Sequence, residues 1–253
     1  MSAAMLERGE ATGGASVKNT PGSIATKRPR RADPSHVIRE RMHLLPVLPL
    51  PEILLYTAHP GSGLRRLAGK GGAPYWAYQW AGGLALARHL LAFPEIVRGR
   101  RVLDLGAGSG IVGIMAAKAG AAEVLAAEVD EIARAALALN AAANDVSLTV
   151  IAEDLTAGPP IPTDVVLVGD LFYAGELAER VLGFVERCAA AGSRILIGDP
   201  GREFLPRERL EPLAEYDVAD VGEAKGMTAT TSTVFTLLPP DDCGRRSARL
   251  SGP

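Results

Sequence analysis

Arg101-Val102-Leu103-Asp104-Leu105-Gly106-Ala107-Gly108-Ser109-Gly110-Ile111-Val112-Gly113 runs from one apolar stretch, through glycines at alternate positions, into another apolar stretch. Arg101–Leu105 reads as a short strand, and Ile111–Ala119 as a helix stopped by Gly120. Glycines at the junction let the chain turn tightly and bring bare backbone against a ligand, at a helix N-terminus whose free N–H groups point outward. Gly108-Ser109-Gly110-Ile111-Val112-Gly113 also fits the dinucleotide fingerprint. The stretch therefore predicts strand, loop, helix and a ligand, but does not choose the ligand.

Outward from it, strands and helices alternate. Strands are expected over Glu123–Val129, Leu148–Glu153, Asp164–Gly169 and Ser193–Gly198. Helices are expected over Glu131–Asn144 and about Ala174–Ala191, with a short one over Pro206–Glu215, where proline at the first turn lacks an N–H the helix would not use. Strands Val218–Val221 and Thr230–Leu238 close the pattern; only Gly222–Ala229 separates them, so they should pair antiparallel. The fold class is α/β, Rossmann-like: a seven-stranded, mostly parallel sheet with helices on both faces and an antiparallel last strand pair. Residues 1–34 and 239–253 lack apolar periodicity and are expected to be a disordered arm and a flexible tail; residues 35–100 form an N-terminal segment and 101–238 the main domain.

Three carboxylates narrow the ligand. Asp104 stands two residues before the first glycine, where it would repel a pyrophosphate and attract a cation. Glu128 closes the second strand, placed to accept from a ribose diol. Asp154 follows the third strand and can accept from the exocyclic amine of an adenine. An adenosine bearing a cationic amino-acid arm satisfies all three, which describes S-adenosylmethionine.

The whole chain of 253 residues carries a net charge of −2. Residues 1–41 hold eight Lys and Arg against four Asp and Glu, and the tail from 239 holds three against two, so the body between them is acidic. That balance disfavours a nucleic-acid partner. Cys188 and Cys243 cannot build a disulfide framework, no apolar stretch approaches a membrane span, and the first residues lack a signal-peptide pattern, so a cytoplasmic protein is expected. His36, His43, His59 and His89 have no metal-ligand spacing, and no metal site is expected.

Pro74-Tyr75-Trp76-Ala77-Tyr78-Gln79-Trp80 holds both tryptophans, just before a helix expected at Leu84–Leu91. Their rings could stack on adenine, screen a reacting nitrogen from water, or simply staple this segment to the sheet. Asp170-Leu171-Phe172-Tyr173 follows strand four and Gly198-Asp199-Pro200-Gly201-Arg202 follows strand five, both at the crevice edge.

The set Asp104, glycines, Glu128 and Asp154 resembles the class I S-adenosylmethionine-dependent methyltransferases. With Leu44–Val47, Pro51–Ile53, the tryptophan segment, Asp170–Tyr173 and Gly198–Arg202, the chain is most similar to the electron transfer flavoprotein β-subunit lysine methyltransferases and their bacterial relatives. The resemblance implies that Asp104, Gly106, Gly108, Gly110, Glu128, Asp154 and Trp80 hold S-adenosylmethionine. It places Trp76 and Phe172 on the substrate side and makes Asp170 and Tyr173 the catalytic pair. It implies methylation of a lysine in a protein, either the electron transfer flavoprotein β subunit or a ribosomal protein. A nicotinamide-type amine methyltransferase, an NAD-dependent oxidoreductase and a non-catalytic binding module are the rival readings. Asp170–Tyr173 stands where amide and adenine N-methyltransferases carry an asparagine–proline signature, which favours an amine.

Overall fold

The computed structural model describes residues 33–63, 74–220 and 228–239. The arm expected over 1–34 lies outside them except for Asp33 and Pro34, and the tail from 239 except for Pro239. Asp33 instead caps the first helix, α1 (Pro34–Arg41), its carboxylate accepting from Ser35 N at 3.0 Å, with Pro34 in the first turn. An antiparallel hairpin follows, β1 (His43–Val47) with β2 (Leu50–Thr57).

Helix α2 (Ala81–Ala92) comes next and is buried over most of its surface, as its Ala, Gly and Leu content dictates. It lies so close to the sheet that a Cβ on Gly82 would sit 2.2 Å from Gly198 O. Then come β3 (Arg101–Leu105), α3 (Ile111–Lys118), β4 (Glu123–Ala127), α4 (Glu131–Ala143) and β5 (Thr149–Ile151). The chain continues through β6 (Val165–Gly169), α5 (Gly175–Ala190), β7 (Arg194–Asp199), β8 (Leu210–Asp220) and β9 (Thr228–Leu237).

The seven-stranded sheet has the order β5-β4-β3-β6-β7-β9-β8. All neighbours are parallel except β7–β9 and β8–β9. Strand residues alternate between two cores. Val102, Val165, Leu167 and Leu196 face the side covered by α2 and α3, whereas Leu103, Val166, Val168 and Ile197 face the side covered by α5. Both faces are therefore apolar, as a parallel sheet sandwiched between helices requires.

One expectation fails here. Pro206–Glu215 is not a helix: a single 3₁₀ turn at Arg207–Arg209 leads straight into the eleven-residue β8. Beyond a bulge between Pro212 and Ala214, the more covered Ala214, Tyr216 and Val218 alternate with exposed Glu215 and Asp217, a period of two. Pro212 is tolerated because β8 is an edge strand. The separate strand expected at Val218–Val221 is the end of this longer one, and residues 221–227 lie outside the described set. Among the described residues no helix is long and apolar enough to cross a membrane.

Candidate active site

The strand order reverses between β3 and β6, and a cavity of about 610 Å³ opens there at the carboxyl ends of β3, β4 and β6. The glycine loop forms its floor. Gly106, Gly108 and Gly110 have φ of +68°, +53° and +83°, the left-handed region that glycine adopts without steric cost. Gly106 and Gly108 line the cavity, and a Cβ on Gly108 would meet nothing nearer than Trp76 Cα at 3.8 Å, so its backbone is bare to a ligand. Gly110, expected to bind the cofactor, turns instead to α4: a Cβ there would overlap Leu137 Cδ1 at 2.2 Å. Its work is to start α3.

Asp104 is 2 % exposed, lines the cavity floor and accepts from Gly113 N at 2.8 Å, tying the strand end to the first turn of α3. Burial raises its pKa to about 7, and the neighbouring Glu128 adds to the rise. A carboxyl with a raised native pKa binds its proton more readily folded than unfolded, so its contribution to stability falls as pH rises from about 4 to about 7. Asp104→Asn keeps an acceptor for Gly113 N and removes that ionisation. Its melting temperature, compared with wild type, is expected to improve by several degrees on going from pH 5 to pH 8. Parallel curves for the two proteins across that range would show that Asp104 does not titrate there.

Glu128 is half-buried at the end of β4. Its Oε2 accepts from Gly108 N and its Oε1 from Asp130 N, both at 2.9 Å. Each oxygen keeps acceptor capacity for a hydroxyl. Asp130 is committed to capping α4 through Ile132 N and Ala133 N. Asp154 lines the cavity and also caps the 3₁₀ turn Leu155–Ala157, its Oδ1 accepting from Thr156 N and Oγ1 at 2.9 and 2.6 Å. The Thr156 hydroxyl bond, with help from Arg180, holds its carboxyl below the usual range.

Asp170 has φ +57°, an uncommon conformation that aspartate tolerates better than most residues. It is 7 % exposed. Its Oδ2 accepts from Gly83 N at 2.8 Å, and its Oδ1 from Arg202 Nε and Nη2 at 3.2 and 2.7 Å. Trp80, the cap residue of α2, offers no side-chain acceptor to that helix, so Asp170 supplies one from the end of β6. The helix nearest in sequence, α5, is not capped by it. Burial raises the Asp170 carboxyl to about 6, against the pull of Arg202.

The aromatic expectations divide. Tyr173 is 46 % exposed, lines the cavity and packs its ring 5.5 Å from that of Tyr75. Trp80 also lines it, with Nε1 donating to Tyr75 O at 2.8 Å and the Arg202 guanidinium 5.3 Å from its ring centre. Trp76 is mainly an anchor, 6 % exposed and packed with Ile38, Met42 and Ala133; what remains open borders the cavity. Phe172 is not on the substrate side. It is fully buried among Val181, Phe184 and Leu205, whereas its neighbours Leu171 and Tyr173 line the cavity.

Arg202 and Tyr75 were missed as individual site residues. Arg202 is aimed by Asp199, whose Oδ1 accepts from Gly201 N and Arg202 N at 2.7 Å each. An Asp-Pro-Gly-Arg turn at the crevice edge was visible, but not that its cation meets Asp170. Carboxylates outnumber guanidiniums around the cavity: Asp104, Glu128, Asp130, Glu153, Asp154 and Asp170 against Arg180 and Arg202. A pyrophosphate would be repelled, whereas a ligand with an ammonium and a sulfonium is favoured.

An anionic cavity over a glycine loop, on a sheet of this strand order, defines the class I methyltransferases, and the chain is an enzyme of that class. Residues 90–189 match the family model described as ribosomal protein L11 methyltransferase. The chain is 41 % identical over 174 residues to the electron transfer flavoprotein beta subunit lysine methyltransferase of Xenopus laevis, covering 66 % of this chain and 71 % of that one. For its Homo sapiens counterpart the identity is 36 % over 172 residues, 66 % of each chain. Among solved structures, PH1948 from Pyrococcus horikoshii, described as a candidate RNA methyltransferase, superposes with a TM-score of 0.50 at 19 % identity, over 70 % of this chain and 97 % of that one. That likeness concerns the fold alone. The chain belongs to the electron transfer flavoprotein β-subunit lysine methyltransferase family.

Proposed function

We propose that this enzyme transfers methyl groups from S-adenosylmethionine to a lysine of the electron transfer flavoprotein β subunit, the substrate specified by its relatives' names. The observation that carries the reading is the acidic cavity whose far wall is Asp170, Arg202, Trp80 and Tyr173. When bound, S-adenosylmethionine supplies a sulfonium methyl for in-line displacement by a neutral amine. The glycine loop and Asp104 would hold its amino-acid arm, Glu128 its ribose, and Asp154 its adenine.

The remaining residues act on the incoming amine. Arg202 occupies Oδ1 of Asp170 twice and Gly83 occupies Oδ2 once, which leaves Oδ2 one acceptor position for an ammonium. Asp170 therefore orients the amine; its carboxyl, at about 6, is a weaker base than the amine itself. Lysine enters as an ammonium with a pKa of about 10.4, and desolvation against Trp80 and Tyr173 favours its neutral, nucleophilic form. Burial raises the Tyr173 hydroxyl, so it stays protonated and positions rather than deprotonates. Alignment supplies most of the rate.

The test is incubation of the purified protein with labelled S-adenosylmethionine and either electron transfer flavoprotein or ribosomal protein L11, the second being the substrate of the matching family model. Label on a β-subunit lysine, located by mass spectrometry, is expected. Label on L11 and none on the flavoprotein would sink the proposal. Tyr173→Phe, assayed on the same substrate, is expected to lower kcat by about tenfold, the worth of one lost hydrogen bond, without changing cofactor affinity; unchanged kcat would reduce Tyr173 to its ring.

A further inference from the structure

Strand β2 pairs with β1 along one edge only. Its other edge would leave Leu54 and Tyr56 backbone groups unsatisfied, yet these meet two buried side chains, Asn140 within α4 and Asn144 at its C-terminal cap. Asn144, 5 % exposed, accepts from Leu54 N at 2.9 Å and donates to Leu54 O at 2.7 Å, as a neighbouring strand would. Asn140, 1 % exposed, accepts from Tyr56 N at 2.8 Å. The match is geometric: four residues of helix rise about 6 Å, and two residues of strand advance about 6.6 Å. Asparagines one turn apart can therefore address alternate residues of a strand.

Asn140 does something more. Its Nδ2 donates to Ser109 O in the glycine loop at 2.8 Å. Ser109 O belongs to the peptide that leads into Gly110, whose φ is +83° and whose N donates to Ala107 O at 2.7 Å. Leu137, one turn earlier on α4, packs beneath Gly110. One face of α4 thus holds the loop by shape at Leu137 and by a hydrogen bond at Asn140. The oxygen of the same amide holds the N-terminal hairpin at Tyr56 N.

We infer that Asn140 is a positioning residue for cofactor binding, fixing the Ser109–Gly110 peptide and joining the β1–β2 hairpin to the glycine loop through one amide group. The inference rests on the glycine loop binding S-adenosylmethionine. Asn144 is its internal control: it grips the same strand, and Asn140 O at 2.8 Å, but makes no bond to the glycine loop among the described residues. Asn140→Asp keeps the acceptor for Tyr56 N but replaces the donor to Ser109 O by a carboxylate oxygen that repels it. Because ligand and hairpin share Asn140, tightening one end tightens the other.

The full chain is titrated with S-adenosylhomocysteine by calorimetry, and the melting temperature of each variant is recorded. Asn140→Asp, and Asn140→Ala as a second variant, are expected to raise Kd about tenfold. Asn144→Ala should lower the melting temperature and raise Kd far less, because the Ser109–Gly110 peptide keeps its bond to Asn140. In the wild type, where no variant need fold, the ligand should slow hydrogen exchange at the Tyr56 amide more than at Leu54. An unchanged Kd for the Asn140 variants, an equal loss in Asn144→Ala, or equal protection at Leu54 and Tyr56 overturns the proposal alone. A wild type that binds no S-adenosylhomocysteine overturns the cofactor reading and this one with it.

Discussion

Asp170→Asn is expected to slow single-turnover methyl transfer by about 10²-fold, with a far smaller change in cofactor affinity. The substitution keeps the shape of the side chain and an acceptor for Gly83 N. It loses the charge that draws an ammonium to Oδ2, and an amide NH₂ placed at Oδ1 would face the two N–H groups of Arg202. Breaking a fully buried pair costs about 3–5 kcal/mol. Arg202 keeps 23 % of its side chain exposed, so a loss of roughly 2–3 kcal/mol of stability is expected here. The two effects are separated by measuring rate per folded molecule together with melting temperature. Normal turnover with a lower melting point would leave Asp170 a cap of α2 and nothing more.

Removing the charge partner instead, by Arg202→Ala, leaves Asp170 buried, accepting from Gly83 N and with Asp199 as its charged neighbour. Its carboxyl must then rise above its present value of about 6. An acidic limb in the rate profile should move to higher pH, because protonated Asp170 no longer draws the amine. A limb unmoved by Arg202→Ala would mean that another group sets it.

Glu128→Ala is expected to weaken S-adenosylhomocysteine binding by about tenfold or more, from a charge-assisted contact of roughly 1.5–3 kcal/mol. The structure raises the expectation, since Glu128 also holds Gly108 N and Asp130 N and its removal loosens the loop as well as the ribose site. Glu128→Gln, which retains one acceptor, should fall between wild type and Ala. Calorimetry on folded protein decides. An unchanged Kd would move the ribose contact to another group, with Asp130 the next candidate, because both bonds by which it caps α4 go to Oδ1.

Much of this was legible from local chemistry. The apolar run Val165–Val168 between polar turns could only be a buried parallel strand, and alternate glycines after Leu105 left the chain no choice but a tight turn into α3. Glu128 and Asp154 were placed at strand ends because strand length and helix spacing are short-range properties. One local cue misled: a proline suited to a first turn suggested a helix at 206–215, whereas pairing with β9 made it a strand. Propensity yields there to the hydrogen bonds of a neighbour distant in sequence.

Which face a side chain takes is a different matter. Phe172 and Tyr173 are adjacent in sequence, yet one is sealed in the core and the other opens on the cavity. Gly110 belongs to α4 rather than to the ligand, and Asp170 caps α2, 87 residues earlier, rather than the helix that follows it. Arg202 and Asn140 acquire their roles only from partners 32 and 31 residues away. The sequence alone thus determined the fold class, the glycine loop and the acids at strand ends, because each depends on spacing along the chain. Tertiary structure alone decided which buried polar atoms meet, because a desolvated carboxylate or amide must find its partner wherever packing brings one within hydrogen-bonding distance.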